Sequence, residues 1–298
     1  SVKCTFNSAG VTFNDALTVT DEGLNNAELV LGKDYKVSYS GNKKVGSNAK
    51  YTVTFLGNYK GSAAIKKTFE ITAASLKDLE DAGELTAISA DKAYTKPAII
   101  KSAPYVLVNG VALKSSDYTV KYYLNEEMTT EMKGKDKVTL GADETSKTVW
   151  VKITGKKNYS GEVTTSYDVL STTGKTDISK AKITVKDSAG KKQSKVEYSG
   201  EAVYPYSIEI KVGKATPILL KYDADTASWV TSDGSATQDF DILVVNNIEK
   251  GKATIIVTGD GANVGSKTAT FSVVSQNLKN VPAEFWSDFK DLKGLLGL

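Results

Sequence analysis

Val149-Trp150-Val151-Lys152-Ile153-Thr154-Gly155-Lys156-Lys157-Asn158-Tyr159-Ser160-Gly161, continued by Glu162 to Leu170, reads as strand, tight loop, strand. Val149, Val151 and Ile153 alternate with Trp150, Lys152 and Thr154, the period-two pattern of a strand with one face buried. The chain reverses between Gly155 and Gly161, and a glycine at each end supplies the positive φ that other residues resist. Val163, Thr165, Tyr167 and Val169 alternate on the return. The stretch recurs upstream from Val53 to Ile71, around Gly57-Asn58-Tyr59-Lys60-Gly61. It recurs downstream from Ile255 to Val273, around Gly259-Asp260-Gly261-Ala262-Asn263-Val264-Gly265. The closing glycines Gly61, Gly161 and Gly265 stand roughly 100 residues apart, one domain length.

Working outward, 298 residues give room for two or three domains with their own cores. No run approaches the roughly 20 apolar residues of a membrane span. The 38 basic residues are all lysine, and neither His nor Arg occurs. The chain therefore lacks the commonest general base and metal ligand, and the planar fork that grips phosphate. Its net charge of +3 comes from scattered lysines, with local clusters such as Lys191, Lys192 and Lys195. That pattern describes a solvated face rather than a nucleic-acid footprint. Cys4 stands alone, which excludes an intrachain disulfide; it alternates with Val2 and Phe6 as a small apolar filler on a strand. Thr, Ser, Val, Gly, Lys and Tyr dominate, which suits an extracellular β-protein. Ser1 is not followed by a charged-then-apolar leader, and the expectation is a secreted chain whose signal peptide is gone.

In chain order, residues 1–74 form the first expected domain, short for a complete sandwich, with Leu31 to Tyr39 as a strongly alternating strand. Leu76, Leu79 and the acids Asp78, Glu80 and Asp81 suit a helical turn at the first junction. Residues 75–173 form the second domain, in which Asn109-Gly110 is the strongest hairpin signal, since both accept positive φ. Leu113 to Tyr122 repeats Leu31 to Tyr39, and Glu126 to Asp136 is a charged insertion expected as an exposed loop or extended hairpin. Thr172-Thr173-Gly174-Lys175-Thr176 is a polar linker. Residues 174–275 form the third domain and 276–298 a tail. In the tail Phe285, Trp286, Phe289, Leu292 and Leu296 sit at helical spacing after Pro282, so an amphipathic helix is expected there, available for assembly.

Gly-x-Asp-Tyr-x-Val-x-Tyr followed by Gly-Asn-Tyr-x-Gly resembles the bacterial immunoglobulin-like repeats of Firmicute surface proteins. Asp34-Tyr35 with Asn58-Tyr59-Lys60-Gly61 carries the match in the first domain, and Asp117-Tyr118 with Asn158-Tyr159-Ser160-Gly161 in the second. Ile178 to Ile183 followed by Tyr198-Ser199-Gly200 matches the opening of such a repeat. In the third domain Phe240 and Val264 replace the tyrosines, and Asp223 to Ser235 is additional. The resemblance covers about residues 1–275. It implies an all-β chain of three tandem immunoglobulin-like β-sandwiches, secreted onto a bacterial surface or cell wall, spacing or supporting other modules and sometimes contributing to adhesion. It implies no active site.

The repeated residues also read structurally on their own. Tyr59 and Tyr159 suit a ring laid over the sandwich end with a backbone partner for the hydroxyl, as in a tyrosine corner. Asp34 and Asp117, each before Tyr35 or Tyr118, suit carboxylates accepting turn N–H groups. Asp223, Asp225, Asp233, Asp239 and Asp241 lack the calcium-loop spacing. Glu126, Glu127 and Glu131 lack an aromatic platform for glycoside chemistry. No catalytic residue, metal site or cofactor is expected. The expected function is a structural stalk, fibre or surface-layer-like subunit, partnered by copies of itself or by other surface proteins. The alternative is an adhesin or carbohydrate-binding module that meets a glycan or host protein through Tyr122, Tyr123, Trp150, Tyr204 and Tyr206.

Overall fold

The computed structural model describes residues 2–231, 233–235 and 239–276. The helix expected over 281–298, with Phe285, Trp286, Phe289, Leu292 and Leu296, lies outside the described residues. The fold is all-β, three tandem immunoglobulin-like sandwiches.

The first comprises β1 (Val2–Thr5), β2 (Thr20–Asp21), β3 (Ala27–Glu28), β4 (Tyr35–Ser40), β5 (Gly46–Phe55) and β6 (Ile65–Thr72). β7 (Ala74–Ser75) and helix α1 (Leu76–Asp81) lead into the second, made of β8 (Leu85–Ile88), β9 (Lys92–Tyr94), β10 (Tyr105–Val108), β11 (Val111–Ala112), β12 (Tyr118–Tyr123), β13 (Ser146–Gly155), β14 (Tyr159–Ser160) and β15 (Glu162–Ser171). β16 (Thr176–Asp177) leads into the third. That one contains β17 (Lys182–Lys186), β18 (Lys195–Glu197), β19 (Ser207–Lys211), β20 (Ile218–Asp223), β21 (Ser228–Val230), β22 (Phe240–Val245), β23 (Gly251–Gly259), β24 (Asn263–Val264) and β25 (Ser266–Val274).

In each sandwich one sheet is closed by a parallel pair: β1 on β6, β9 on β15, β18 on β25. The third has two four-stranded sheets, β17-β19-β20-β21 and β18-β25-β23-β22, around a core that includes Ile208, Leu220, Ile255 and Phe271. The second pairs β11-β10-β8 with β12-β13-β15-β9, and Val149, Val151, Ile153 and Val169 are fully buried, as their alternation requires. Burying each such side chain is worth about 1.5–3 kcal/mol. In the first, one sheet (β1-β6-β5-β4) is covered by the β2-β3 ladder, short 3-10 turns and the irregular segments beside them, and those segments contribute Val11, Val19 and Leu29. This is why about 70 residues suffice there.

Asn109 and Gly110 both have positive φ, and Val108 pairs with Val111 across them. Glu126 to Asp136 begins as a hairpin: Tyr123 bridges Glu131, Met132 N–H reaches Tyr122 O at 2.7 Å, and Met132 is buried. Cys4 is half-buried in a cluster with Phe6 and Phe69.

Residues group into two compact units. One holds Ser1–Leu85, Leu113–Lys121 and Val151–Thr164; the other holds Thr86–Ala112, Tyr122–Trp150 and Thr165–Leu298. The first unit thus contains the tip of the second sandwich, and the second unit its remainder with the third sandwich.

Candidate functional site

The repeated loop is the most regular feature of the molecule. Two backbone hydrogen bonds recur in register in all three loops. Asp34 O, Asp117 O and Asp239 O accept from Leu56, Lys156 and Asp260 N–H at 2.7, 2.8 and 2.9 Å. Tyr59, Tyr159 and Asn263 N–H then donate to Leu56, Lys156 and Asp260 O. Gly57, Lys157 and Gly261, one residue past that acceptor, are all left-handed, with φ of 54, 59 and 58°. Gly61, Gly161 and Gly265 close the loop with φ of 101, 75 and 81°. The opening glycines act differently from the sequence expectation. Gly155 and Gly259 do not have positive φ; a Cβ there would stand 2.8 Å from Ser160 N or 2.7 Å from Val264 N. Space, not φ, selects glycine at that end.

The loop receives the chain entering its own sandwich. Tyr159 and Ser160 pair in parallel with Ala74 and Ser75, and Ala74 N–H donates to Asn158 O at 2.9 Å. Asn263 and Val264 pair likewise with Thr176 and Asp177, and Thr176 N–H donates to Ala262 O at 2.9 Å. By register the residue that takes the tyrosine's place is therefore Asn263, while Val264, paired with Asp177, takes the place of Ser160. Each incoming segment then turns on a capped residue. Ser75 Oγ accepts from Asp78 N–H, and Asp177 Oδ1 from Ser179 N–H; Leu76 and Ile178 behind them are fully buried. Of the expected linker Thr172 to Thr176, Thr173 to Thr176 is exposed, while Thr172 is half-buried and donates to Tyr94 O.

Side chains extend this docking. Val45 N–H donates to Asn158 Oδ1 at 3.0 Å, and the Tyr159 ring meets Phe6 edge-on at 5.4 Å. Burial raises the Tyr159 phenol above its ordinary value. In the other unit, Lys92 Nζ donates to Ser266 Oγ at 3.2 Å, and Ala90, Leu107, Val245 and Ile256 form one buried cluster. A crevice of about 330 Å³ opens beside that cluster, lined by Ser89, Asp91, Asp241 and Thr258 among others. Burial pushes the Asp91 carboxyl up, against the hydrogen bond it accepts from Asp168 N–H at 2.7 Å. Burial pushes the Lys92 ammonium down.

Asp34 Oδ2 accepts the Val30 N–H, a turn N–H of the kind expected. Asp117 instead faces Lys157 Nζ at 3.7 Å and the Ser116 hydroxyl. Hydroxyls with backbone partners belong instead to Tyr35 (donating to Leu17 O, 3.3 Å), Tyr167 (donating to Ile100 O, 2.8 Å) and Tyr39 (accepting from Phe13 N–H, 3.2 Å). The Tyr59 phenol is raised first by burial and then by its hydrogen bond with the Asp21 carboxylate. Tyr118 is half-buried at the start of β12.

The candidate binding aromatics fall in two places. Tyr122 is half-buried, edge-on to Tyr167, with Lys101 Nζ 5.1 Å from its ring centre; Tyr123 is buried and Trp150 half-buried. Of these three, the Tyr123 ring is closed to solvent. Tyr204 and Tyr206 belong to the third sandwich. Tyr204 stacks on Tyr222 at 3.8 Å and 10°, Tyr222 meets Trp229 at 5.5 Å, and Lys221 Nζ lies 5.6 Å from the Tyr206 ring. Tyr206 is 46% exposed. Burial, then the hydrogen bond with Tyr204, raises the Tyr222 phenol. Tyr222 and Trp229 were not legible as partners of Tyr204, because they reach it across β20 and β21. The acids Asp223 and Asp233 accept from their own turns: Asp225 N–H and Thr226 Oγ1 for the one, Ser235 N–H and Thr231 Oγ1 for the other. Among the described residues no three carboxylate or cysteine groups come together to hold a metal ion.

No protein-family model matches the chain, and no curated protein matches it. Among solved structures it is similar to PcdhgB3 EC1-4, at 12% identity over 93% of this chain and 74% of the other, with a TM-score of 0.21. It is also similar to the extracellular cadherin domains 1–4 of protocadherin gamma B7, at 11% identity over 91% and 74%, with a TM-score of 0.20. At these TM-scores neither likeness bears on fold or function, and the fold stands on the sheets and registers above.

Proposed function

We propose that this chain is a non-catalytic structural segment of an extracellular bacterial surface protein, a stalk, fibre or surface-layer-like subunit built from immunoglobulin-like repeats of the Firmicute type. The observation that carries this reading is the parallel ladder between incoming linker and tip loop, made twice with the same backbone hydrogen bonds. A device repeated at successive junctions fixes one sandwich to the next, which is the task of a spacer. The absence of His and Arg from the sequence fits the same reading, since it removes the usual acid–base and anion-clamping residues. Brief trypsin treatment of intact producing cells tests it. Peptides ending at Lys175, in the exposed linker, should appear in the supernatant. Their recovery only after cell lysis would overturn the extracellular assignment.

The Tyr204, Tyr206, Tyr222 and Trp229 group favours a second reading, adhesion to a glycan through the exposed Tyr206 ring. On a glycan array, Tyr206→Ala should abolish any retention while stability moves by less than about 0.5 kcal/mol. Retention unchanged by the substitution would remove this reading.

A further inference from the structure

The third sandwich has an open side. Among the described residues β17 pairs only with β19, save for a bridge from Lys186 to Lys192 and the Gln193 N–H on Val185 O. β25 pairs with β23 along its whole length, but β18 covers only its end, from Ser272 to Val274. Among the described residues, Lys182 to Thr184 and Lys267 to Thr270 therefore each present a strand edge with no ladder partner. Alternate residues of such an edge direct N–H and C=O outward. The two edges line one groove of about 590 Å³.

Two further observations describe what the groove lacks. Gln193 Oε1, on its wall, is buried with no hydrogen-bond partner among the described residues, so an acceptor there awaits a donor. Lys182, Lys192 and Lys267 line the groove, no Asp or Glu does, and none of these lysines is in an ion pair among the described residues. Lys267 Nζ donates to Ser179 O at 3.2 Å.

We propose that this groove binds an extended acidic peptide segment of a partner protein, which adds as a strand to the open edge of β25; β17 runs too close alongside for one strand to pair with both. Backbone hydrogen bonds to that edge give the affinity, and the lysines select carboxylate side chains. At about 3.3 Å per residue the open stretch of β25, from Lys267 to Thr270, accommodates about four residues. The Gln193 carbonyl takes an N–H from the inserted strand. This inference does not depend on where the protein resides.

The test uses the full chain, isotope-labelled, and a capped eight-residue peptide of alternating Glu and Val. Amide resonances of residues 182–184 and 267–270 should shift on titration. Lys182→Glu with Lys192→Glu should weaken binding at least about tenfold, and the double Gln variant by less. Both lysines are exposed, and an unchanged spectrum elsewhere checks that the fold survives. The same peptide N-methylated at every amide should not bind, because it cannot donate to the β25 edge. No shift at these amides would overturn the proposal. So would equal binding by the N-methylated peptide and by inorganic polyphosphate, which would make the groove a general anion surface.

Discussion

At the tip of the second sandwich the incoming chain meets Asn158 and Tyr159; at the tip of the third it meets Ala262 and Asn263 at the same registers. The backbone device is the same, and the side chains are exchanged. Where the tip carries Asn158 and Tyr159, they reach Val45 and Phe6 directly. Where the tip has lost the ring, contact moves to strand faces, and Ala90, Leu107, Val245 and Ile256 bury one another. The difference teaches that the ladder sets position while stabilisation is carried by whichever residues lie around it. An apolar cluster is the more strongly stabilising of the two, because it removes whole aliphatic side chains from water.

Breaking the apolar junction should have the largest effect. Ile256 is 2% exposed although its neighbour Ile255 already fills the sandwich core, so only the cluster with Leu107 and Ala90 explains its burial. Ile256→Asp places an unpaired charge there and should cost more than about 4 kcal/mol. Chemical denaturation measures this. A change below about 0.5 kcal/mol would mean that the cluster is open in solution. Tyr159→Ala comes next, at about 3 kcal/mol, for loss of a buried ring. Asn263→Ala at the same register should cost under about 1 kcal/mol, since its side chain donates to Asp239 O over a long 3.4 Å. Equal costs for the two would show that the tips are not divided in the way described.

How much of this could be read beforehand follows from the range of each signal. The strand, loop, strand repeat is local, so alternation and glycine spacing disclosed Val149 to Val169 and its copies, and Asn109-Gly110 disclosed its hairpin. The ladder from Ala74 to Tyr159 joins residues far apart in the chain, and nothing in either segment's pattern points to the other. Ile256 is also invisible in that sense. A strand apolar on both faces, as Ile255-Ile256-Val257 is, announces two buried faces without saying what covers the second. The aromatic group failed for the same reason: Tyr204 and Tyr206 were marked as near neighbours in sequence, whereas the ring Tyr204 stacks on is Tyr222.

Lys157 sharpens the comparison from within the loop itself. Its φ of 59° is one that Gly57 and Gly261 adopt freely at the equivalent positions. A side chain in this conformation costs about 1–2 kcal/mol, and the exposed Lys157–Asp117 pair at 3.7 Å returns little. Lys157→Gly should therefore raise stability by up to about 1 kcal/mol, with an unchanged slope in urea. Destabilisation would show that the contact with Asp117 outweighs the backbone term.

Asp91 gives the smallest effect, and its sign distinguishes a closed second junction from an open one. Burial in the crevice is the main reason its carboxyl titrates above the ordinary 3.8, with Asp168 and Asp241 adding repulsion and Lys92 and the Asp168 N–H opposing. A raised value means that the folded chain holds the proton more strongly than the unfolded chain. Between 3.8 and the raised value the folded state therefore binds more protons, and stability falls as pH rises through that window. The contribution favouring the fold is full below the window and gone above it. Asp91→Asn keeps an oxygen to accept the Asp168 N–H and removes the charge. Its stability relative to the unsubstituted chain should be level at the acid end, rise through the window and then stay constant toward neutral pH. Melting temperatures taken in steps across acid to neutral pH read this directly. A difference that stays flat would mean that Asp91 is fully solvated, and that the second and third sandwiches do not close over it.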